Sequence, residues 1–574
     1  MSALRDLCRR FWDWRLRDTP EFATFCGFHQ YDSLLADMTE EAFMRRKEDC
    51  ARFLKESSQI DESELSEKEQ LTCILLKDQL ETFVNNQKYQ GYLNQINFMV
   101  GIHVDFELFI SWMKFNSVED FQVYVQRLKA LPSRVEQTIA VLRMAISRNK
   151  TLNAHSLGGV LDMIEALCKD PESTVFMQPF IQNKGIPEID LAKVKNNAVL
   201  VIKNEVSPAF RQLKTFLVEE YMKHLRPEVG ISSWTDGREF YEASLKYHIS
   251  VGMSPEQVHQ LGLAEVSRIR KEMQQVMEST NFKGDFKAFV ADLRSNPKFY
   301  FSSKEEILEG LRDICYKQIR PRLHKLFHKI PDSLLKIEAA PASQPNAPAG
   351  FYLAGTLDGS RPGVYHINCN NVKHCPKYEL MSLSLHEGEP GHHFQGMYAI
   401  EMKELPSFQR YCEDLNYWSF PSRFPLYAAY MEGWGLYCEY LGKELGLYED
   451  PYSLFGHLSF EMMRACRLVA DTGIHALGWS HEQAVALFLE NTATVEAVIQ
   501  HEVDRYITIP GQACAYKIGM LKIQELRRKA SQALGSLFDV RDFHDEVLSC
   551  GMAPMHVLET VIDKYIAKKQ NLQK

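Results

Sequence analysis

Apolar positions recur at helical spacing along most of the chain, and the places where these runs begin carry helix-start chemistry. Ser254-Pro255 opens a run that reaches Met277, Ser303 to Glu306 forms a capping-box pattern before Ile307-Leu308, and Ser480 to Gln483 repeats it before Ala484-Val485. The stretch Met1–Leu16 interleaves Arg5, Arg9, Arg10, Asp13 and Arg15 with Leu4, Leu7, Phe11 and Trp12, so it reads as an amphipathic helix and not as the unbroken apolar core of a secretory signal. No short-period internal repeat is present, which removes the signature of a helical solenoid. Two segments leave the helical pattern. Glu338–Gly350, EAAPASQPNAPAG, has no apolar period and reads as a surface connection between an N-terminal helical lobe, 1–337, and a C-terminal region, 351–574, both lobes of one large domain. Directly after it, Phe351–Leu357 and Gly363–Asn368 flank the turn Asp358-Gly359-Ser360-Arg361-Pro362 and predict a β-hairpin, either a plain surface hairpin or an edge strand able to pair with extended substrate. The expected fold is therefore mostly α with a little β structure.

Composition narrows the class. With 574 residues, 45% hydrophobic and 25% charged, the chain is an ordinary globular sequence large enough to enclose a deep cleft. A net charge of -9 offers no general attraction for nucleic acid or anionic lipid, and no window approaches eighteen charge-free apolar residues, so neither nucleic acid nor a membrane is an expected partner. Thirteen scattered cysteines, an odd number without CxxC pairs, suggest a reducing compartment and a cytoplasmic protein. The Asn149-Lys150-Thr151 sequon carries no weight without a secretion signal.

The informative chemistry lies in Ser384-Leu385-His386-Glu387-Gly388-Glu389-Pro390-Gly391-His392-His393. In H-E-x-x-H two imidazoles one helical turn apart share a zinc ion, and the adjacent Glu activates water. Here position i+4 is Pro390, so the strict motif is absent. Six residues of straight helix separate side chains by ~9 Å, too far for two ligands at ~2.1 Å from one metal. Pro390 and Gly391 can form a bulge that shortens the path to His392; His393 competes because it returns to the same face, but over a longer rise of ~10.5 Å. Downstream, Glu432 stands on an apolar, aromatic helix, where a metal would satisfy an otherwise costly carboxylate. His386, His392 and Glu432 with a place left for water make a recognised catalytic zinc set, although manganese or cobalt suit similar ligands. Glu439, seven residues on, reads either as an acid behind a ligand or as a solvated helix charge. With nineteen histidines in the chain the His-Glu pair alone is weak; the neighbouring histidines and Glu432 strengthen it.

These residues resemble the family known as domain of unknown function 885, whose members share a pattern of the type H-E-x-x-P-G-H-H and look like gluzincin peptidases. The resemblance extends to DGSRPG (Asp358–Gly363), EGWGLY (Glu432–Tyr437), DTGIHALGW (Asp471–Trp479) and RYITIPGQACAYKIG (Arg505–Gly519), while the N-terminal half matches through segments such as Trp12–Gly27. It implies a two-lobed helical zincin-type scaffold with a deep cleft, similar to oligopeptidases and angiotensin-converting enzyme. Those relatives carry H-E-x-G-H, and aligning their Gly-His with Gly391-His392 favours His392. The sequence departs from the common family form at Gly388-Glu389, which bears on substrate preference. The resemblance also points to Tyr516 as the oxyanion donor, with Arg505 an alternative.

Other candidates are less specific. Asp471 and His475, four apart, are an orienting pair for a metal site or a structural pair. Arg464 and Arg467 share a helix face and either grip a substrate carboxylate or are solvated. Trp418, Phe420, Phe424 and Tyr427 line a pocket or a core, and Tyr365 and His393 are further candidate contacts to substrate or to the ligands. The expected activity is a zinc metallopeptidase, with one Zn2+, acting on short peptides, with Glu387 as general base. The alternatives are a catalytically silent helical binding protein and a metal hydrolase of a non-peptide amide or ester.

Overall fold

The computed structural model describes residues 2–183, 185–340, 348–356, 359, 361–411 and 417–572. The chain divides into two compact units: one comprises 1–240 with 406–408 and 413–426, the other 241–405, 409–412 and 427–574. The division falls at Phe240/Tyr241 and not at 337/338; the Ala/Pro-rich stretch 338–350 lies inside the second unit, and 341–347 lie outside the described residues.

The first unit is built on helices. Its first helix, Ala3–Asp18, is amphipathic as expected, with Leu4, Leu7, Phe11, Trp12 and Leu16 buried and Arg5 and Arg9 in solvent. Phe11 packs edge-on against Phe408 and Phe424, and Phe424 against Phe83, so returning segments 406–408 and 413–426 complete this core. Trp418, Phe420 and Phe424 are all buried, which assigns these three aromatic residues to packing.

The second unit carries the motifs. Its helices in chain order include α1 (Pro255–Ser279), α2 (Lys377–Glu387), α3 (His392–Glu401), α4 (Ala428–Glu444), α5 (Pro451–Ala476), α6 (Glu496–Thr508) and α7 (Ala515–Leu534). The Ser254 capping box closes fully at α1, as does the Ser480 box on His481–Asn491. At Ser303 only half forms, because Glu306 reaches the Ser302 N–H instead. Three strands, β1 (Lys336–Ala339), β2 (Gly350–Leu353) and β3 (Val364–Ile367), make one sheet in the order β1-β3-β2. The predicted hairpin is the antiparallel β2/β3 pair, with Gly350 opposite Ile367 and Leu353 opposite Val364; turn residues Leu357, Asp358 and Ser360 lie outside the described residues. β1, paired parallel to β3, was unforeseen. One face of the sheet packs on α2 through Ile337, Tyr365, Ile367, Leu380 and Leu383.

Inside this unit α1, α5 and α7 are tied by a buried ionic cluster. Lys517, fully buried, reaches Glu461 at 2.6 Å and Glu265 at 2.9 Å, and Glu461 also meets Arg268. A lysine removed from water needs such partners, since an unpaired one would lose several kcal/mol of solvation.

Candidate metal centre

α2 is buried on nearly every face from Leu380 to Glu387, so it is a core helix and not an amphipathic surface one. It ends at Glu387. Gly388 leaves the helical region at φ −95° and ψ −122°, and a new helix, α3, begins at His392 with Gly391 as its N-cap. The expected bulge within one helix is thus a stop and restart, because Pro390 has no N–H to continue the ladder. Gly391 lets the ends meet: a Cβ there would sit 2.0 Å from the His386 carbonyl oxygen and 2.4 Å from that of Leu385. Trp434 Nε1 donates to the Pro390 carbonyl at 2.8 Å, and Arg320 pairs with Glu389, fixing the turn from both sides. Gly391→Ala should therefore lower unfolding stability by roughly 3 kcal/mol, the upper range for overpacking, and weaken zinc binding together with it; denaturant unfolding and zinc titration check both.

The restart brings the rings of His386 and His392 to a centroid distance of 4.7 Å at 87°. Glu432, from the first turns of α4, places Oε2 3.4 Å from Nε2 of each histidine, and the three ligand atoms lie within 4.8 Å of one another. Two ligands ~2.1 Å from a tetrahedral ion are ~3.4 Å apart, whereas a charged hydrogen bond closes to ~2.8 Å. The donor set and its spacing fit zinc. Solvent reaches the cluster through His392 and Glu432, whose side chains are 14% and 22% exposed against 3% for His386.

Behind His386 stands Glu439, fully buried, with Oε1 2.8 Å from His386 Nδ1. That contact turns Nε2 toward Glu432, which is how an outer carboxylate orients a metal-binding imidazole. The His386 ring also lies against Gly435, where a Cβ would come within 2.8 to 3.0 Å of ring atoms. Burial works against charge on His386, yet Glu432 and Glu439 outweigh it and raise its pKa to about 9. Burial likewise opposes ionisation of Glu432, but the two histidines hold it well below the carboxylate range. Glu387 is raised by burial, with the histidines pulling the other way and Glu432 adding to the rise. Removing the support, as in Glu439→Ala, should weaken zinc affinity 10- to 100-fold, measured by competition with a chromophoric chelator.

His393 faces elsewhere. Its Nε2 donates to the Ser333 carbonyl at 3.0 Å, so Nδ1 accepts from the Tyr352 hydroxyl of β2 at 3.2 Å. Of the two competing histidines, His392 is the one that joins the cluster.

A second wall is formed by α5, α6 and α7. The Tyr516 ring lies 6.4 Å from that of His386, nearly parallel, and the Arg467 guanidinium stands 4.5 Å from the centroid of the Tyr516 ring. Arg505 donates to Glu502 at 3.0 Å and to Gln512 Oε1 at 2.9 Å, and Gln512 Nε2 donates to the Tyr516 oxygen at 3.3 Å. Arg467 is bonded to Glu502 and the Tyr506 hydroxyl, and Arg464 lies 3.6 Å from Glu439, so these arginines are buried structural partners and not a solvated face. Asp471 accepts from the Tyr241 hydroxyl at 2.6 Å and from the Gly511 N–H at 3.0 Å, and His475 Nε2 faces the Tyr506 carbonyl at 2.9 Å. Both residues hold the corner between α6 and α7; the acid that meets His386 is Glu439.

A family described as "Bacterial protein of unknown function (DUF885)" matches residues 20–562. The chain belongs to that family. Two solved structures, both named "putative lipoprotein", resemble this DUF885 chain. The one from Colwellia psychrerythraea has a TM-score of 0.90 at 26% identity, covering 99% of this chain and 100% of its own. The one from Shewanella oneidensis, of unknown function by its name, has a TM-score of 0.67 at 18% identity, covering 98% and 100%, a likeness of fold alone. No curated protein matches.

The remaining aromatic candidates of the DUF885 chain are buried. Tyr365 is fully buried in the core between sheet and α2, where burial raises its pKa and the nearby Glu387 charge adds to the rise, and Tyr427 is buried at the N-cap of α4. Glu389, where the sequence departs from the family form, is buried against Arg320, so the departure serves the turn. The contributions of Arg320 and Gln512 were missed. Nothing in the sequence links Arg320 to a residue 69 positions away, whereas the i,i+4 spacing of Gln512 and Tyr516 was a usable signal.

Proposed function

We propose that this DUF885 chain is a zinc-dependent hydrolase of gluzincin type that cleaves amide bonds in short peptides. The observation that carries the reading is the convergence of His386, His392 and Glu432 at tetrahedral spacing beside Glu387. Zinc is the ion that two imidazoles and a carboxylate favour, with manganese and cobalt as substitutes. When bound, the ion would acidify water and polarise a carbonyl. Glu387, its pKa raised by burial, is suited to take the proton of that water and return it to the leaving amine. Tyr516, kept protonated by burial and by the Glu432 charge, is suited to donate a hydrogen bond to the developing oxyanion.

Side chains so little exposed admit an extended peptide and not a folded surface. β2 lies at the edge of its sheet, and Tyr352 ties it to α3, so it offers backbone groups to such a peptide. A silent binding protein would have no use for an acid beside the first ligand. An ester or non-peptide amide would use the same groups, and product analysis separates it. Purified protein should contain about one zinc per chain, consistent with a single catalytic site, and cleave short peptides in a chelator-sensitive, zinc-restored reaction. Absence of stoichiometric metal, or metal without turnover across a peptide library, ends the proposal.

No helix of the described residues is long and apolar enough to cross a membrane. A cytoplasmic setting is supported by twelve buried cysteines without disulfides; Cys412 lies outside the described residues. The names of the two solved structures would favour an envelope location instead, and cell fractionation decides between them.

A further inference from the structure

The hydrogen bonds around Tyr516 have a direction, and the direction is set at Arg505. A guanidinium carries donors only. Arg505 Nη1 stands 2.9 Å from Gln512 Oε1, so the carbonyl end of that carboxamide must face the arginine, and its NH2 end faces away. The NH2 end is 3.3 Å from the Tyr516 oxygen, which therefore accepts. Among the described residues no group takes the phenolic proton, which is left over for a partner outside the protein. Had the carboxamide been reversed, its oxygen would have captured that proton.

The lock is itself held. Glu502 Oε2 accepts from Arg505 at 3.0 Å, from Arg467 at 2.8 Å and from the Tyr506 hydroxyl at 2.7 Å, so Arg505 cannot swing away without breaking a buried cluster. The polypeptide corner that joins Arg505 to Gln512 is pinned by Asp471 on the Gly511 N–H. Gly511 takes φ +88°, a left-handed conformation that glycine adopts without strain.

We propose that Arg505 and Gln512 are positioning residues that orient the Tyr516 hydroxyl, so that its proton is reserved for the oxyanion of the substrate. The proposal rests on the peptidase reading above. Arg505 thus works through Gln512 and does not touch the oxyanion itself.

The test compares three changes that differ in hydrogen-bond direction. Gln512→Glu keeps the pairing with Arg505 but offers Tyr516 an acceptor; Gln512→Met removes the bond with little change of length. Arg505→Met frees the carboxamide to turn, and Arg505→Lys, still a donor only, keeps it oriented. Each protein is checked for zinc content and thermal unfolding, then titrated with a phosphinic tripeptide, whose tetrahedral oxygens stand where the oxyanion would form, and assayed for kcat and KM on a short peptide. The expected order of analogue affinity is wild type, then Gln512→Met, then Gln512→Glu. The Glu variant should fall roughly 100-fold, the scale of losing one oxyanion donor, in kcat and not in KM. Arg505→Lys should retain more affinity than Arg505→Met. If an active wild type yields a Gln512→Glu protein that binds the analogue as well as or better than Gln512→Met, the proposal is overturned while the peptidase reading stands. If Gln512→Glu does not fold, the Arg505 pair decides, and equal affinities there overturn it. A zinc-loaded wild type that neither cleaves peptides nor binds the analogue overturns both.

Discussion

His386→Ala should take the zinc content from about one per chain to none, and with it at least 10⁴-fold of the peptide turnover, the scale that separates metal-assisted from unassisted catalysis in such sites. The imidazole contributes one of three ligands, and the remaining pair, His392 and Glu432, is partly exposed and too few to hold the ion against buffer. The substitution also removes the closest ion-pair partner of the buried Glu439 carboxylate and leaves it facing Arg464 at 3.6 Å. Breaking a buried charge pair in this way costs about 3 to 5 kcal/mol, so the variant should also melt earlier than wild type. Glu432→Gln separates the two effects, since it removes a ligand without disturbing the His386 to Glu439 bond; zinc should be lost while most of the stability remains. Elemental analysis and calorimetry read both quantities. Retention of a full zinc equivalent in His386→Ala would show that the metal sits elsewhere.

Glu387→Gln should do the reverse: the protein keeps its zinc and its fold and loses roughly 10³-fold or more in kcat, near the contribution of a positioned acid-base group. The neutral amide has the shape of the carboxyl but cannot accept the water proton or return it. Burial already raises the Glu387 pKa, so the neutral side chain is well tolerated there and stability should not suffer. Unchanged kcat in a zinc-replete Glu387→Gln protein would remove this residue from the chemistry and revive the binding-protein reading.

Local rules carried much of the fold. The amphipathic first helix, the caps at Ser254 and Ser480 and the antiparallel pairing of β2 with β3 follow from periodicity, capping chemistry and turn residues, all of which act within a few positions. β1 was not legible because four residues, two of them partly exposed, leave no strand pattern until β3 is present to pair with them. The unit boundary escaped for a related reason: the Ala/Pro-rich stretch changes composition, but what defines a unit is which helices share a core.

At the candidate site the residue types His386, Glu387, His392 and Glu432 stood out in the sequence, since His-Glu beside Pro-Gly-His has few structural uses. The choice between His392 and His393 rested there on a preference. Only the tertiary structure places Ser333 and Tyr352 against His393, Arg320 and Trp434 on the turn, and Glu439 behind His386. The direction of the bond to Tyr516 likewise depends on Arg505 meeting Gln512 across a glycine corner. The chain alone determined its helices and the identity of its reactive side chains, because both are properties of short stretches. Which of those side chains face one another, and which end of each hydrogen bond gives the proton, was decided by packing between segments tens of residues apart, where burial makes every polar group find a partner.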